Sequence, residues 1–207
     1  MDLRPVTLRG QRVILEPLRP DHADELWQAA DERALWAYMG ADGMGVASRD
    51  DLRAWIANRI AGSPSRMPAL PFLQRDAVTG EAFGSTSLFD IDGANRKLEV
   101  GHTWLGRSHR RTAANTEAKR LLLGHAFEAM GAVRAQLKCD ARNAASRAAI
   151  ERIGARPEGV LRHWLILPDG HRRDTAFFSV LEAEWPAVRA RLDRMLQEGP
   201  HAGPAKA

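Results

Sequence analysis

Cysteine is almost absent from the sequence, which has 207 residues and a single cysteine, Cys139. One thiol cannot form an internal disulfide, and it leaves a zinc or redox site without enough thiolate ligands. We therefore expect a cytoplasmic protein that binds no metal, in which Cys139 is an ordinary strand residue.

Long apolar runs are missing as well. The stretch from Met1 to Leu18 has no apolar segment long enough for a signal peptide, and no later stretch reaches the roughly 18 apolar residues of a membrane span. Lysine-rich runs interleaved with aromatic residues are also lacking. The net charge of +4 and the pI near 9.8 favour acidic partners such as nucleotide phosphates. We expect neither a membrane nor a specific nucleic acid as a partner.

What the sequence does contain is typical of a folded globule, with 44% hydrophobic and 27% charged residues. A chain of this length buries about 70% of the surface that its unfolded form exposes. We predict one domain over residues 1–197. The remaining residues, 198–207, include few large apolar side chains, and we expect them to form a disordered tail.

Hydrophobic periodicity predicts an alternation of strands and helices. The opening strand Arg12–Leu18 is followed by a helix with Asp21 as N-cap, and a second helix begins at Ser48 and ends at Gly62. A three-stranded antiparallel meander follows between Leu70 and Leu105. The later elements are a helix over 117–130, a strand over 132–140, a helix from Asn143 to Gly154, a hairpin over 158–181 that turns at 168–170, and a helix over 182–196.

The loop Ser108–Lys119, SHRRTAANTEAK, places Arg110 and Arg111 where a helix begins. A helix N-terminus offers unpaired N–H groups and partial positive charge, and arginine donors suit phosphate geometry. The loop lacks the glycine-lysine-serine/threonine ending of a P-loop and the glycines of a dinucleotide fingerprint. It predicts a diphosphate site, and the alternative is two exposed arginines beside an ordinary helix.

The order of elements and several stretches resemble the GCN5-related N-acetyltransferase (GNAT) family, and most closely its bacterial ribosomal-protein N-terminal acetyltransferase branch. The stretches are RRTAANTEAKRLLLGHAFE, DARNAASRAAIERIGARPEGVLR and DGHRRDTAFFSVLEAEW, with LRGQRVILEPLRPDHADELW as a family-like opening. The resemblance implies a single-domain GNAT fold of the α/β (α+β) class. Its central mixed, mostly antiparallel twisted sheet has six to seven strands flanked by helices on both faces.

The resemblance also implies a binding site for acetyl-coenzyme A (acetyl-CoA). In this family the loop before the central helix binds the pyrophosphate, and the preceding strand and the later N-x-x-S helix contact the cofactor arm. The implied cofactor-binding residues are Trp104, Leu105, Arg110, Arg111, Thr112, Ala113, Ala114, Asn115, Asn143 and Ser146. The loop departs from the family pattern, since Ser108 stands where glutamine or arginine is typical and Arg111 where glycine is usual. Asn143 and Ser146 have an alternative role as a local helix cap.

Acetyl transfer to an amine requires a group that removes the amine proton and an acid that helps the thiolate leave. Strand alternation predicts that Glu99, Gly101 and Thr103 share one face and that His102 points to the other. The resemblance makes Glu99 the candidate base, and the alternative is an exposed Glu99 paired with Lys97 or Arg96. His102 is expected to be structural.

The candidate acid is Ser146, by resemblance to the ribosomal branch. Many family members use a tyrosine instead, but the one tyrosine of this chain, Tyr38, lies far upstream in the sequence. Some enzymes of the branch also carry a catalytic glutamate a few residues beyond EGVLR, where this chain has HWLIL.

We thus predict an acetyl-CoA-dependent N-acetyltransferase that acts on a primary amine by direct attack in a ternary complex. A protein N-terminal α-amine is one candidate acceptor. A small-molecule or antibiotic acetyltransferase and a catalytically weak acyl-CoA-binding regulatory module stay open as alternatives. The early helices and the 168–170 turn are expected to form the acceptor wall, with Trp36, Trp55 and Trp164 lining it or lying in the core. The resemblance also implies a homodimer.

Overall fold

A computed structural model describes residues 1–30, 33–39, 45–61 and 68–199 of the chain. These residues form one sheet with helices on both of its faces. The strands are β1 (Leu8–Arg9), β2 (Val13–Pro17), β3 (Leu70–Asp76), β4 (Ala82–Asp92), β5 (Lys97–Leu105), β6 (Arg134–Asp140), β7 (Arg156–Ile166) and β8 (Arg172–Leu181). The helices are α1 (Ala23–Ala30), α2 (Arg33–Trp36), α3 (Arg49–Ala61), α4 (Ala114–Gly124), α5 (Ala144–Arg152) and α6 (Trp185–Glu198).

The strand order across the sheet is β1-β2-β3-β4-β5-β6-β8-β7. All neighbouring strands are antiparallel except β5 and β6, which run parallel. A parallel pair needs a crossover connection, and α4 provides it. The predicted mixed, mostly antiparallel sheet is therefore confirmed.

The predicted count of six to seven strands is too low by one, because the sheet has eight. The additional strand is β1, whose two residues pair with Leu15 and Ile14. A two-residue strand is too short to show a period of two. A residue far along the sequence stabilises the β1–β2 turn: the Glu117 carboxylate accepts hydrogen bonds from the backbone N–H groups of residues 11–13 at 2.7–3.0 Å.

The two faces of the sheet carry separate hydrophobic cores. On one side, here called the α4 face, the strands pack against α4, α5 and α6 through residues such as Leu122, Ile150 and Val188. On the other side, the α3 face, they pack against α1 and α3, and Trp104 of β5 belongs to this second core. The sheet therefore has helices on both faces, as predicted.

Most predicted elements are present within a few residues of their expected bounds. The meander is β3–β4–β5, the hairpin is β7–β8, and Ala118, Leu122, Ala126 and Met130 are all buried. The central helix begins earlier than predicted, at Ala114, and its last part, His125–Ala129, is π-helical.

One predicted cap is wrong and one is confirmed. Asp21 lies inside a 3-10 turn, Pro20–His22, because Pro20 with its fixed φ starts the turn one residue earlier. The Ser48 hydroxyl accepts a hydrogen bond from the Asp51 N–H at 3.1 Å, as predicted for a capping residue. Gly62 lies outside the described residues, as does the expected tail beyond residue 199. Within the described ranges, no helix combines the length and apolar character needed to cross a membrane.

Candidate active site

The parallel strands β5 and β6 separate part of the way along their length. Their pairing covers only three positions, from Lys97 opposite Arg134 to Glu99 opposite Gln136. Both strands then continue, β5 to Leu105 and β6 to Asp140, without further pairing to each other. A wedge therefore opens in the middle of the sheet, and it is bordered by the backbone of residues 100–105 on one side.

A β-bulge in β5 reverses the face of the sheet to which the later side chains of this strand point. Ser85 pairs with Trp104 and Ser87 with Gly101, so Thr86 stands opposite two residues, His102 and Thr103. His102 has a φ of +49°, which is unusual for a residue other than glycine. A bulge of this kind shifts the alternation of the strand by one residue.

The predicted alternation along β5 is consequently wrong beyond Gly101. The His102 ring packs on Phe89 at 4.0 Å between ring centroids, and Phe89 is paired with Glu99, so His102 and Glu99 share the α3 face. Thr103 instead contacts Lys119 of α4 at 2.6 Å, on the opposite face.

Glu99 is buried, with only 2% of its surface exposed. Its Oε2 atom accepts hydrogen bonds from the Lys138 ammonium at 2.8 Å and from the Gln136 amide at 3.0 Å. Burial raises the pKa of the Glu99 carboxyl, although both donors act to lower it. The expected alternative of an exposed Glu99 paired with Lys97 or Arg96 is wrong, because the parallel pairing brings side chains of β6 beside it.

His102 links β5 to α3. Its Nε2 atom lies 2.8 Å from Nη1 of Arg59, a buried residue of α3. Since a guanidinium can only donate, Nε2 must be unprotonated in this arrangement. Sequence reasoning missed both Arg59 and Lys138, although Arg59 continues the buried helical spacing of Leu52 and Ile56.

The arginine loop begins with a 3-10 turn, Arg107–His109, and continues into α4. Arg111 has a φ of +60°, a left-handed conformation that favours glycine. This explains physically why the family usually has glycine at the position of Arg111. Thr112 Oγ1 donates to the His109 carbonyl at 2.8 Å and accepts from the Ala114 N–H at 3.2 Å.

The start of α4 is surrounded by positive charge. Arg107, Arg110 and Arg111 lie within a few residues of a helix N-terminus that itself carries partial positive charge. The Arg110 Nε atom donates to the Leu105 carbonyl at 2.9 Å, which fixes the loop to the end of β5. Ala113 and Ala114 are buried, and Asn115 has a buried Oδ1 with no hydrogen-bond partner among the described residues. The positive charge at this helix N-terminus fits an anionic ligand.

Trp104 and Leu105, predicted to contact the cofactor arm through their backbone, lie at the end of the strand that borders the wedge. The Trp104 side chain is buried in the α3-face core at 5.4 Å from Trp36, and its carbonyl accepts a hydrogen bond from Gln74 at 3.2 Å. Trp36 and Trp55 are likewise buried in this core. Trp164 is 45% exposed on β7.

Asn143 and Ser146 lie at the start of α5, directly after β6. The Asn143 Oδ1 accepts a hydrogen bond from the Ser146 N–H at 3.0 Å, so the alternative of a local cap is confirmed. The Ser146 hydroxyl also hydrogen-bonds with Cys139. Burial raises the pKa of the Cys139 thiol, and the hydrogen bond with Ser146 acts to lower it. Their contact with a cofactor stays a prediction.

Tyr38 is far from this region in sequence but close to it in space. The Arg142 guanidinium lies 5.9 Å from the centre of the Tyr38 ring, and Arg142 binds the buried carboxylate of Asp140 at 2.7 Å. Tyr38 is therefore near the β6–α5 turn that carries Asn143 and Ser146. Sequence reasoning could not find this proximity, because it depends on how α2 sits against the sheet.

One group of described residues has the spacing of metal ligands, and it lies away from the wedge. Glu16, His22 and Glu25 bring their ligand atoms within 4.8 Å of one another. Both carboxylates already bind the Arg75 guanidinium, at 2.6 Å and 2.9 Å. The His22 Nδ1 accepts from the Arg19 N–H, so its Nε2 carries the proton of the neutral ring and offers no lone pair to a metal.

Comparison with known proteins agrees with this geometry. Residues 12–156 match the family described as acetyltransferase (GNAT) domain. A crystal structure of a GCN5-related N-acetyltransferase from Brucella melitensis is 32% identical, with a TM-score of 0.84, over 93% of this chain and 86% of that one. The chain therefore belongs to the GNAT family and so to the acetyl-CoA-dependent N-acetyltransferases.

Two further relatives are similar to this chain and belong to the ribosomal-protein branch by name. YdaF of Bacillus subtilis (strain 168), named as a ribosomal N-acetyltransferase, is 35% identical over 106 residues, which are 51% of this chain and 57% of that protein. The match thus spans little more than half the length of this curated relative. Mycobacterium smegmatis RimJ in complex with CoA-disulfide is 25% identical, with a TM-score of 0.76 and coverage of 92% and 94%.

Proposed function

We propose that the protein transfers an acetyl group from acetyl-CoA to a primary amine by direct attack in a ternary complex formed across the β5–β6 wedge. The observation that carries this proposal is the early end of the parallel pairing at Glu99, while both strands continue. A donor arm that enters from the α4 face would meet an amine from the α3 face within the wedge. The amine nitrogen then bonds to the acetyl carbon, and the carbon–sulfur bond breaks.

The donor site is proposed at the start of α4. Arg110 and Arg111, with the backbone N–H groups of residues 112–115, offer donors to the diphosphate. The backbone at Trp104 and Leu105 and the side chains of Asn143 and Ser146 are proposed to contact the cofactor arm. The structure of RimJ in complex with CoA-disulfide supports this cofactor.

Glu99 is proposed as the base that takes the amine proton. Its raised pKa makes the carboxylate a better proton acceptor. Because Glu99 is buried, water does not compete with the amine for the carboxylate. Lys138 is proposed to hold the carboxylate in its ionised form until the amine arrives. The leaving thiolate needs a proton donor, and Ser146 and Tyr38 are the two candidates near the β6–α5 turn.

The proposed acceptor is the α-amine of a protein N-terminus, and the name of YdaF, a ribosomal N-acetyltransferase, supports an acceptor on the ribosome. The small-molecule acceptor stays as the alternative. Residues 40–44, which connect the two early segments expected to form part of the acceptor wall, lie outside the described residues. We further propose that the enzyme acts in the cytoplasm, which the single cysteine supports.

A homodimer formed through β7 is also proposed. β7 is one of the two edge strands of the sheet, and all eleven of its residues are exposed. Val160, Leu161, Trp164, Leu165 and Ile166 lie on it, which is half of the ten large hydrophobic residues that are exposed in the described structure. A long apolar edge strand favours pairing with another strand, and antiparallel pairing with a second copy is self-complementary.

Calorimetric titration with acetyl-CoA tests the donor site. Wild type is expected to bind in the micromolar range, and Arg110→Ala/Arg111→Ala is expected to bind roughly tenfold more weakly or worse, since each charge-assisted hydrogen bond contributes about 1.5–3 kcal/mol. Arg189→Ala/Arg194→Ala on α6 removes the same charge elsewhere and should bind as wild type does. Absence of binding by wild type would refute the proposed function.

The acid is tested by matched variants assayed with a panel of peptides and small amines. Ser146→Ala and Tyr38→Phe each remove one hydroxyl. The variant that removes the proton donor should have a kcat lower by about 100-fold or more, with little change in acetyl-CoA affinity. If neither variant lowers kcat, the thiolate takes its proton from solvent. Turnover of small amines but of no peptide would reject the N-terminal α-amine as acceptor.

A further inference from the structure

Lys119 is a buried lysine that has no acidic partner among the described residues. It lies on α4 with 6% of its surface exposed. Its Nζ donates a hydrogen bond to the Thr103 hydroxyl at 2.6 Å, and Thr103 in turn hydrogen-bonds with Thr86 at 2.8 Å. No carboxylate pairs with Lys119 anywhere in the described ranges. Lysine is almost never buried in this way unless it is paired.

Several charged groups on α4 and on the elements packed around it bind partners other than Lys119. Glu117 binds the β1–β2 turn, and Arg120 binds Asp193 of α6. Arg152 of α5 binds Thr116, and Glu99 lies on the opposite face of β5. Four more charged groups on the neighbouring elements also have partners elsewhere: Glu16 on β2 binds Arg75, Lys97 on β5 pairs with Asp92, Glu128 after α4 binds Trp185 and Arg189, and Arg191 on α6 binds the Arg152 carbonyl.

The position of Lys119 points toward the proposed donor site. Helical side chains slant toward the helix N-terminus, and Lys119 lies one turn after Asn115 on the same face of α4. Its partner Thr103 belongs to the part of β5 that borders the wedge. Arg110 donates to the Leu105 carbonyl on the same segment, so the cationic side chains of Arg110 and Lys119 both contact the last part of β5.

A buried amine of this kind has a simple electrostatic response. Desolvation lowers the pKa of Lys119 to about 7. A negative charge that arrives nearby favours the charged form, and the protein interior screens that interaction less than water does. The amine therefore has the means to gain a proton when an anion binds.

We propose that Lys119 is a proton-linked binding residue for the acetyl donor: its buried amine gains a proton when the diphosphate occupies the N-terminus of α4. The inference rests on the proposed donor site. Acetyl-CoA then supplies the negative charge that Lys119 lacks in the free protein. By linkage, the affinity for acetyl-CoA rises as the pH falls toward about 7.

Calorimetry in two buffers measures this proton directly. Acetyl-CoA is titrated into wild type at pH 8 in phosphate and in Tris, whose ionisation heats differ, and the difference in binding heat gives the protons taken up. Wild type is expected to take up on the order of half a proton or more per acetyl-CoA. Lys119→Met should take up almost none, whereas Lys97→Met, which removes an exposed lysine of β5, should match wild type.

Nuclear magnetic resonance gives a second measurement that needs no change at Lys119. The chain has four lysines, so side-chain ¹³C labelling gives four signals, and Lys97→Arg, Lys138→Arg and Lys206→Arg assign the other three. The pKa of Lys119 should rise when acetyl-CoA is added. Equal proton uptake by wild type and Lys119→Met, or an unchanged Lys119 pKa, would overturn this inference but not the donor site. Failure of wild type to bind acetyl-CoA would instead refute the proposed function.

Discussion

Replacement of Lys119 by methionine should stabilise the free protein, and the gain should depend on pH. In the unfolded chain the amine has an ordinary pKa of 10.5, and in the folded protein burial lowers it to about 7. The difference of 10.5 − 7 = 3.5 units corresponds to roughly 5 kcal/mol at 1.36 kcal/mol per unit. Loss of the hydrogen bond to Thr103 offsets about 1 kcal/mol of this.

The sign of the pH dependence follows from proton binding. Between about pH 7 and pH 10.5 the unfolded state holds a proton at Lys119 that the folded state lacks, so wild-type stability rises with pH in this window. Below about pH 7 the destabilisation is complete. The advantage of Lys119→Met should therefore be roughly 4 kcal/mol at pH 6.5 and should decline by about 1.4 kcal/mol per pH unit above pH 7.

Urea unfolding followed by tryptophan fluorescence at pH 6.5, 8 and 9.5 measures this difference. The six tryptophans report the transition, and an equal urea dependence in both proteins supports comparison of the free energies. Lys97→Met is the matched control, because that lysine is 51% exposed and should show no such pH dependence. Parallel stability curves for wild type and Lys119→Met would refute the assignment of a desolvated, unpaired amine.

Three further predictions concern Glu99, Arg111 and the β7 edge. Glu99→Gln should lower kcat by about 100-fold or more. Because burial raises the pKa of Glu99, the fall of wild-type kcat/KM at acid pH should lie above pH 4.5, and it should move to higher pH in Lys138→Met. A pH profile that Lys138→Met leaves unchanged would contradict the ion pair. Arg111→Gly and Arg111→Ala should weaken acetyl-CoA binding equally, but the glycine variant should be about 1 kcal/mol more stable to urea, since only glycine relieves the φ of +60°; equal stabilities would refute that strain. In light scattering, Ile166→Lys should be monomeric, and Val78→Lys, at an exposed turn, should remain dimeric; a dimeric Ile166→Lys would reject β7 as the interface.

Much of the fold was predictable because it depends on local patterns. The meander follows from a period of two with turn residues between its strands, and the buried arc of α4 follows from helical spacing. Asn143 caps α5 because asparagine accepts the hydrogen bond of an N–H three residues later. Arg111 departs from the glycine usual in the family, and the structure shows the left-handed backbone that makes glycine usual there.

The contacts that decide the chemistry of the site were not predictable in the same way. Lys138 reaches Glu99 only because two distant strands pair in parallel over three positions. Tyr38, which follows α2, approaches Arg142 only because the fold brings that segment beside the turn after β6. Neither contact leaves a periodic signal, since each joins residues about 40 or more positions apart and depends on the packing of whole elements.

The bulge at His102 explains why alternation failed and what the strand gains from the failure. In LEVGHTWL, strict alternation would place Leu98, Val100, His102 and Trp104 on one face. The α4 face needs Leu98 and Val100 for its core, whereas the core beneath α1 and α3 needs Trp104. One additional residue in the strand satisfies both cores, because it reverses the phase between Gly101 and Thr103. The same reversal brings His102 beside Arg59 on the face of Glu99, and it turns Thr103 toward Lys119 on the face of the proposed donor.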